Sequence, residues 1–371
     1  MTPFPRPDYA PLEPYAPDRR PIAVDLSDNT NRWGVHPDAV VAVQAASAED
    51  FLRYPPVYAD HLRRAVAERF GVPMEAVSTG CGSDDLLDSL FRAAGIQGEG
   101  VRYLPPTFSM IEIFATMNGL RAMPLERDGG AGPEAPFGAL PEPVKLFEGS
   151  PALVYLCRPN NPTGEVQPRL WVDEVIREAE ARGTVVAVDE AYADFLDPQV
   201  EDPDSLLRAA AGSRRLVVLR TLSKVYGLAG LRVGFAVGAP EVIRELEKSR
   251  GPYKVNRMAE AAGVAAVRDA PGWIPGILEA VQVERTRLAH ELVRRGLTPL
   301  PSGANFLCVP LTGASLTVEP TAAAVTAALR DREVAVRPFP DLPGIGDAIR
   351  VSIGPREEMD RFLNALDGIR A

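Results

Sequence analysis

Apolar positions along the chain fall into two alternating kinds of run. Short, nearly unbroken apolar stretches at 101–104, 121–125, 152–157, 184–188 and 216–219 read as strands, most of them buried on both faces. Between and before them, apolar residues recur at helical spacing over 38–52, 58–70, 111–117, 168–182 and 205–211, and Gly71 stops the second of these helices. A further strand is expected at 231–237. Strands alternating with helices predict an α/β fold, a mostly parallel sheet covered by helices on both faces. Sheets of this kind bind ligands beyond the carboxyl ends of their strands. Asn161, Asp189 and Lys224 each follow the end of an expected strand, which marks them as candidates for a common site.

After about residue 256 the pattern changes. A long helix over 273–295 is followed by Ser302-Gly303-Ala304-Asn305-Phe306-Leu307, a helix over 321–330, short strands at 334–336 and 348–353, and a last helix over 355–369. This predicts a second, smaller α+β domain. The expected division is an N-terminal arm with part of the small domain at 1–40, a large domain at 41–255 and a small C-terminal domain at 256–371. Residues 1–24 are rich in proline and aromatics, the composition of an arm. An acidic loop rich in glycine and proline is expected from 126 to about 150.

Composition narrows the function classes. The 371 residues are 46% hydrophobic and 24% charged, as in ordinary globular proteins. A net charge of −10 argues against nucleic acid or an anionic membrane as partner, so any anionic ligand needs a local cluster of donors. No apolar run reaches membrane-spanning length, and the opening Met-Thr-Pro-Phe-Pro-Arg-Pro carries no apolar signal core; a cytoplasmic location is expected. Cys81, Cys157 and Cys308 lack the paired spacing of a zinc site and read as thiols packed like small apolar residues. The three histidines also lack ligand spacing, so no metal is expected.

One loop stands out chemically. Between the strands ending at 219 and beginning at 231 lie Thr221, Ser223, Lys224 and several glycines, with Arg232 at the start of the second strand. Flanked by core-like strands, Lys224 is expected in a partly desolvated cleft, where burial lowers an amine's pKa and makes it a nucleophile toward carbonyls. Thr221, Ser223 and Arg232 offer donors to an anion, most simply a phosphate. A lysine able to form a Schiff base beside a phosphate cup suggests pyridoxal phosphate; a solvated surface loop has the same composition. A second glycine-rich turn, Thr79 to Asp84, opens a helix whose apolar face carries Leu86, Leu87, Leu90 and Phe91. Such a turn is either an anion site at a helix N-terminus or a plain tight turn.

Taken together, Gly82-Ser83-Asp84, Asn160-Asn161-Pro162-Thr163-Gly164, Asp189-Glu190-Ala191-Tyr192 and Thr221-Leu222-Ser223-Lys224 with Arg232 resemble the fold-type-I pyridoxal-phosphate aminotransferases. The histidinol-phosphate aminotransferase branch is the nearest, and the resemblance runs from about Leu26 to the C-terminus. It implies a seven-stranded sheet and pyridoxal 5'-phosphate as cofactor. Lys224 would be the Schiff-base lysine and proton carrier, Asp189 the partner of the pyridinium nitrogen, and Tyr192 with Asn161 the partners of the phenolic oxygen. Phe108 matches the residue that stacks on the ring. Gly82, Ser83, Asp84, Thr221, Ser223 and Arg232 would cup the phosphate, and Tyr54 would reach the phosphate of a neighbouring subunit in a homodimer with shared active sites. Arg350 matches the arginine that grips the substrate α-carboxylate, and Arg337 a second arginine for a substrate phosphate; an arginine near a sheet edge also fits a surface ion pair. Asn305 either orients the edge of the site or starts a strand.

The chain departs from this family where it reads Asn29-Thr30-Asn31-Arg32-Trp33, with Thr30 in place of a glutamate expected near the substrate side chain. Asn29 and Thr30 are accordingly candidates for substrate contact in an altered pocket. The expected activity is transamination, with glutamate as amino donor and the histidinol-phosphate ketone (imidazole-acetol phosphate) or a related small keto compound as acceptor. The same motifs occur in threonine-phosphate-type decarboxylases, in amino-acid oxidases and in transaminases of specialised metabolism. A non-catalytic protein would have little use for Lys224, Asp189, Tyr192 and Arg232 together.

Overall fold

The computed structural model describes residues 4–370 apart from 15, 19, 128–137 and 271. Its strands, in chain order, are β1 (Val24–Asp25), β2 (Val77–Gly80), β3 (Gly100–Tyr103), β4 (Arg121–Pro124), β5 (Leu153–Cys157), β6 (Val185–Asp189), β7 (Leu216–Thr221), β8 (Gly234–Val237), β9 (Phe306–Pro310), β10 (Val334–Ala335), β11 (Arg337–Leu342) and β12 (Gly346–Ser352). Seven of them form one sheet in the order β2-β8-β7-β6-β5-β3-β4, with β8 running against the rest. This is the mostly parallel α/β sheet expected from the alternation of strands and helices. Part of the acidic loop expected after β4 falls at 128–137, outside the described residues.

The central strands show why continuous apolar runs were needed. Alternate residues of β5, β6 and β7 enter two different cores: Val154, Val186 and Val218 face one, while Tyr155, Ala187 and Val217 face the other. A strand sandwiched in this way has no solvent face on which to place polar residues. The helix Gly82–Ala94 covers the second face with Leu86, Leu87, Leu90 and Phe91, all buried. Each such side chain contributes roughly 1.5–3 kcal/mol by leaving water, and Phe91→Ala would cost about 3–5 kcal/mol. That same helix begins where β2 ends, so packing fixes its N-terminus beside the carboxyl ends of β6 and β7.

A smaller antiparallel sheet has the order β11-β12-β9, and β1 pairs in parallel with β10. The segment after β1 is tied to this part of the molecule, with Ser352 N donating to Leu26 O at 2.9 Å. Arg350 thus sits on the central strand β12, not on an edge where an arginine would serve as a surface ion pair.

Several elements differ from the sequence pattern for local reasons. The expected helix over 38–52 is two helices, Pro37–Gln44 and Ala48–Leu52, because Ser47 and Asp50 form a capping box that starts a new helix. The strand expected from 231 begins only at Gly234: Ala229–Leu231 form a 3-10 turn and Arg232 takes a left-handed conformation, φ 52°. Helices Pro240–Lys248 and Arg257–Arg268 were not anticipated; Asn256 caps the second through Ala259 N. Cys157 and Cys308 are buried as expected, but Cys81, at the start of the glycine-rich turn, is exposed. Among the described residues, no helix is long and apolar enough to cross a membrane.

Candidate active site

Beyond the carboxyl ends of β5, β6 and β7 lies a cavity of about 550 Å³ that reaches the small sheet. Lys224, on the loop that leaves β7, turns its amine into it. Nζ donates to Asp28 O at 3.3 Å and stands 5.5 Å from the centroid of the Tyr192 ring. Burial, helped by the Arg350 charge, brings the amine pKa down from 10.5 to about 8. The desolvated cleft expected from the flanking strands is therefore present.

Asp189 ends β6. Its carboxylate accepts from Tyr155 Oη at 2.9 Å and from the Ala191 amide at 3.1 Å. It is only 6% exposed, and burial raises its pKa to about 6 despite those two donors. Among the described residues no cation stands within ion-pair distance of it. A carboxylate held in this way favours a cationic ligand group, and a protonated ring nitrogen meets that need.

At the other end of the cavity the helix Gly82–Ala94 presents Ser83 and Asp84 in its first turn. Thr221 Oγ1 donates to Ser223 Oγ at 2.8 Å, and the Ser223 amide donates back to Thr221 Oγ1 at 3.1 Å. Arg232 Nη2 reaches Asp84 Oδ2 at 3.2 Å. Gly82 has φ 82°, and a Cβ there would lie 2.7 Å from Arg232 Nη2, so a side chain would displace the guanidinium. Hydroxyls, amide, helix N-terminus and guanidinium together make a cradle for a phosphate.

The small sheet closes the cavity. Arg350 Nη1 donates to Asn161 Oδ1 and Nη2 to Ser27 O, both at 2.6 Å, while its buried Nε has no partner. Its guanidinium lies 5.3 Å from the Phe306 ring centroid and 5.5 Å from that of Phe339. Arg337 stands opposite Arg350 in the β11–β12 register and also lines the cavity, as do Phe108 and Thr30.

Asn29 is a correction. It lies one layer behind the cavity wall, 1% exposed, with Nδ2 on Tyr192 Oη at 3.1 Å, so the substrate contact expected of it is not available. Asn305 likewise lies behind the wall and donates to Asn29 O at 3.1 Å. Tyr54 is 78% exposed, stacked on Tyr253 at 4.8 Å and away from the cavity of its own chain.

Sequence reasoning missed Tyr155, Phe306, Phe339 and Met110. Tyr155 is the hydroxyl-bearing residue of the otherwise apolar run 153–156, and Phe339 lies two positions from Arg337 on the same strand face. Those were usable signals. Phe306 and Met110 gave none beyond their apolar character.

The sequence profile of the aminotransferases of class I and II matches residues 21–366. The chain belongs to that family. The histidinol-phosphate aminotransferase of Moorella thermoacetica is 33% identical over 367 residues, covering 98% of this chain and 90% of that protein. The aromatic amino acid aminotransferase of Nocardia farcinica is 34% identical over 362 residues, covering 96% of this chain and 95% of that one. Among solved structures, histidinol-phosphate aminotransferase from Sinorhizobium meliloti in complex with pyridoxal-5'-phosphate superposes with a TM-score of 0.78 at 25% identity, covering 94% of this chain and 91% of the other. This aminotransferase is a pyridoxal-phosphate enzyme, and the buried Asp189 and the donor cradle around Ser83 and Arg232 fit that cofactor.

Proposed function

We propose that this aminotransferase moves the amino group of glutamate to the histidinol-phosphate ketone or a closely related small keto compound. The observation that carries this reading is the direct pairing of Arg337 and Arg350 across β11 and β12, both on the cavity. Two guanidiniums side by side suit substrates with two anionic groups, such as a dicarboxylate donor or a phosphorylated acceptor. The histidinol-phosphate aminotransferases among the similar proteins support the same choice.

In this reading each side chain has a definite task. When bound, pyridoxal phosphate supplies a ring that takes up the electron pair left as a bond at the substrate Cα is broken. Lys224 Nζ, whose pKa burial brings down to about 8 so that far more of it is neutral near pH 7 than of an exposed lysine, holds and moves the Cα proton. Asp189 would keep a protonated ring nitrogen charged, and Tyr192 with Asn161 would hydrogen-bond the phenolic oxygen. Ser83, Asp84, Thr221, Ser223 and Arg232 would hold the phosphate beside the backbone turn of Gly82, and Phe108 would stack on the ring. Arg350 receives the α-carboxylate, exchanging its bond to Asn161 for one to substrate. Arg337 and Thr30 contact the substrate side chain.

The assembly in this reading is a cytoplasmic homodimer. Exposed Phe51, Leu52, Tyr54 and Tyr253 give an apolar face for the second copy, from which Tyr54 would reach the partner's phosphate. Tyr54→Phe should then release cofactor faster than wild type; unchanged retention in a confirmed dimer removes that role. The deciding experiment for substrate is a half-reaction screen. Holoenzyme is mixed with single amino acids and with histidinol phosphate, and conversion to pyridoxamine phosphate is followed spectroscopically. Turnover with glutamate and histidinol phosphate is expected, and inertness toward histidinol phosphate refutes the acceptor. Borohydride reduction followed by peptide mapping should find the cofactor on Lys224; an unmodified Lys224 peptide ends the central assignment.

A further inference from the structure

The buried contacts behind Tyr192 have a direction. Asn29 donates its backbone N–H to Ser352 Oγ at 2.8 Å, and Ser352 Oγ stands 3.0 Å from Asn29 Oδ1. Having accepted the amide proton, the Ser352 hydroxyl places its own proton on Asn29 Oδ1. That orients the side-chain amide with Nδ2 toward Tyr192 Oη, 3.1 Å away. The opposite orientation would set the amide NH₂ against Ser352 and leave the serine proton without this acceptor. A phenol carries one proton. With Oη already accepting from Asn29, that proton is directed to the cavity that Tyr192 lines.

We propose that Asn29 is a positioning residue that makes Tyr192 a hydrogen-bond donor toward the ligand in the cavity. The relay runs from Ser352 on β12 through Asn29 to Tyr192 beyond β6, so it links the small sheet to the large one. Asparagine suits the position on two counts. Its amide offers an acceptor to one neighbour and a donor to the other, where a carboxylate would accept from both and turn the Tyr192 proton inward. It also tolerates the left-handed backbone found there, φ 55°. The Asn305 amide, donating to Asn29 O at 3.1 Å, holds that backbone in place.

This inference rests on the reading of Tyr192 as a partner of the cofactor's phenolic oxygen, and the test separates the two. The long-wavelength band of the cofactor-loaded protein is titrated with pH in wild type, Tyr192→Phe, Asn29→Gly and the double variant. Glycine keeps the left-handed backbone while removing the amide. Tyr192→Phe should move the midpoint upward, and Asn29→Gly should move it the same way by roughly half to one pH unit, the size of one neutral hydrogen bond. Adding Asn29→Gly to Tyr192→Phe should move it no further. A midpoint unmoved by Tyr192→Phe refutes the reading of Tyr192 itself. A midpoint moved by Tyr192→Phe but not by Asn29→Gly refutes the positioning role alone, as does an Asn29→Gly shift that persists undiminished in the double variant. Should Asn29→Gly not fold, Ser352→Ala decides: a smaller upward shift supports the relay, and none overturns it.

Discussion

Asp189 offers a test that needs no substrate. Its pKa is about 6 in the folded, cofactor-free protein against 3.8 for an ordinary aspartate, with burial as the largest cause. The native state therefore binds an extra proton between those two values, and stability falls as pH rises through that window. A difference of 2.2 units (6 − 3.8) corresponds to about 3 kcal/mol lost in full above pH 6, of which about 1.5 kcal/mol develops between pH 5 and 8. Asp189→Asn keeps the shape, leaving an acceptor for the Ala191 amide and an NH₂ for Tyr155 Oη. The cofactor-free variant should thus be more stable than wild type at pH 8 by up to about 3 kcal/mol, with the advantage shrinking toward pH 5. Urea midpoints of both proteins, freed of cofactor and compared at each pH, measure this. With pyridoxal phosphate added, the order should reverse, because the ring nitrogen pairs with the carboxylate and not with the amide. Equal stability of the two cofactor-free proteins at pH 8, or a difference that does not change with pH, refutes the argument.

Other outcomes follow from the same geometry. Arg350→Ala should weaken amino-donor binding by roughly 2–5 kcal/mol, about thirty-fold to several-thousand-fold, and Arg350→Lys should not restore it because the planar fork is lost; an unchanged KM for the donor contradicts the assignment. Gly82→Ala should speed cofactor loss on dialysis, since the new Cβ meets Arg232 Nη2 at 2.7 Å in a backbone with φ 82°, while wild-type retention would place the phosphate elsewhere. In cofactor-free protein, acylation of Lys224 followed by peptide mass spectrometry should rise through a midpoint of about pH 8, far below that of exposed lysines; a midpoint near 10.5 means the cleft is wetter than the structure.

The sheet was legible because its middle strands must be apolar on both faces, and Val154, Val186 and Val218 could be read directly as such. β2 was not, since Ser78 and Thr79 are polar yet fully buried, their hydroxyls bonded to Glu247 and to Tyr58 O. β11 was hidden by Pro338 and Pro340, which break the strand pattern yet sit on the outer side of its alternation. Lys224, Asp189, Asn161 and Arg350 come together on one cavity because each follows a strand or lies within one. Asn29 was misplaced by a single layer. Its place beside Thr30, in the segment that departs from the family pattern, suggested contact with substrate, and only the Ser352 and Tyr192 contacts 323 and 163 residues away in the chain reveal a supporting position.

The prolines of β11 bear on more than strand recognition. β11 is an edge strand, and Pro338 and Pro340, which have no backbone N–H, offer no hydrogen-bond donors to a further strand added at that edge. Arg337 and Phe339 on the inner side meet the cavity, whereas Lys224, Asp189, Thr221 and Ser223 belong to the other sheet and the loop that leaves it. Under the proposed roles, those inner side chains can be exchanged, and with them the molecule that is recognised, without touching Lys224 or Asp189. Variation at these positions offers a route by which related enzymes could diverge in diet while keeping one chemistry.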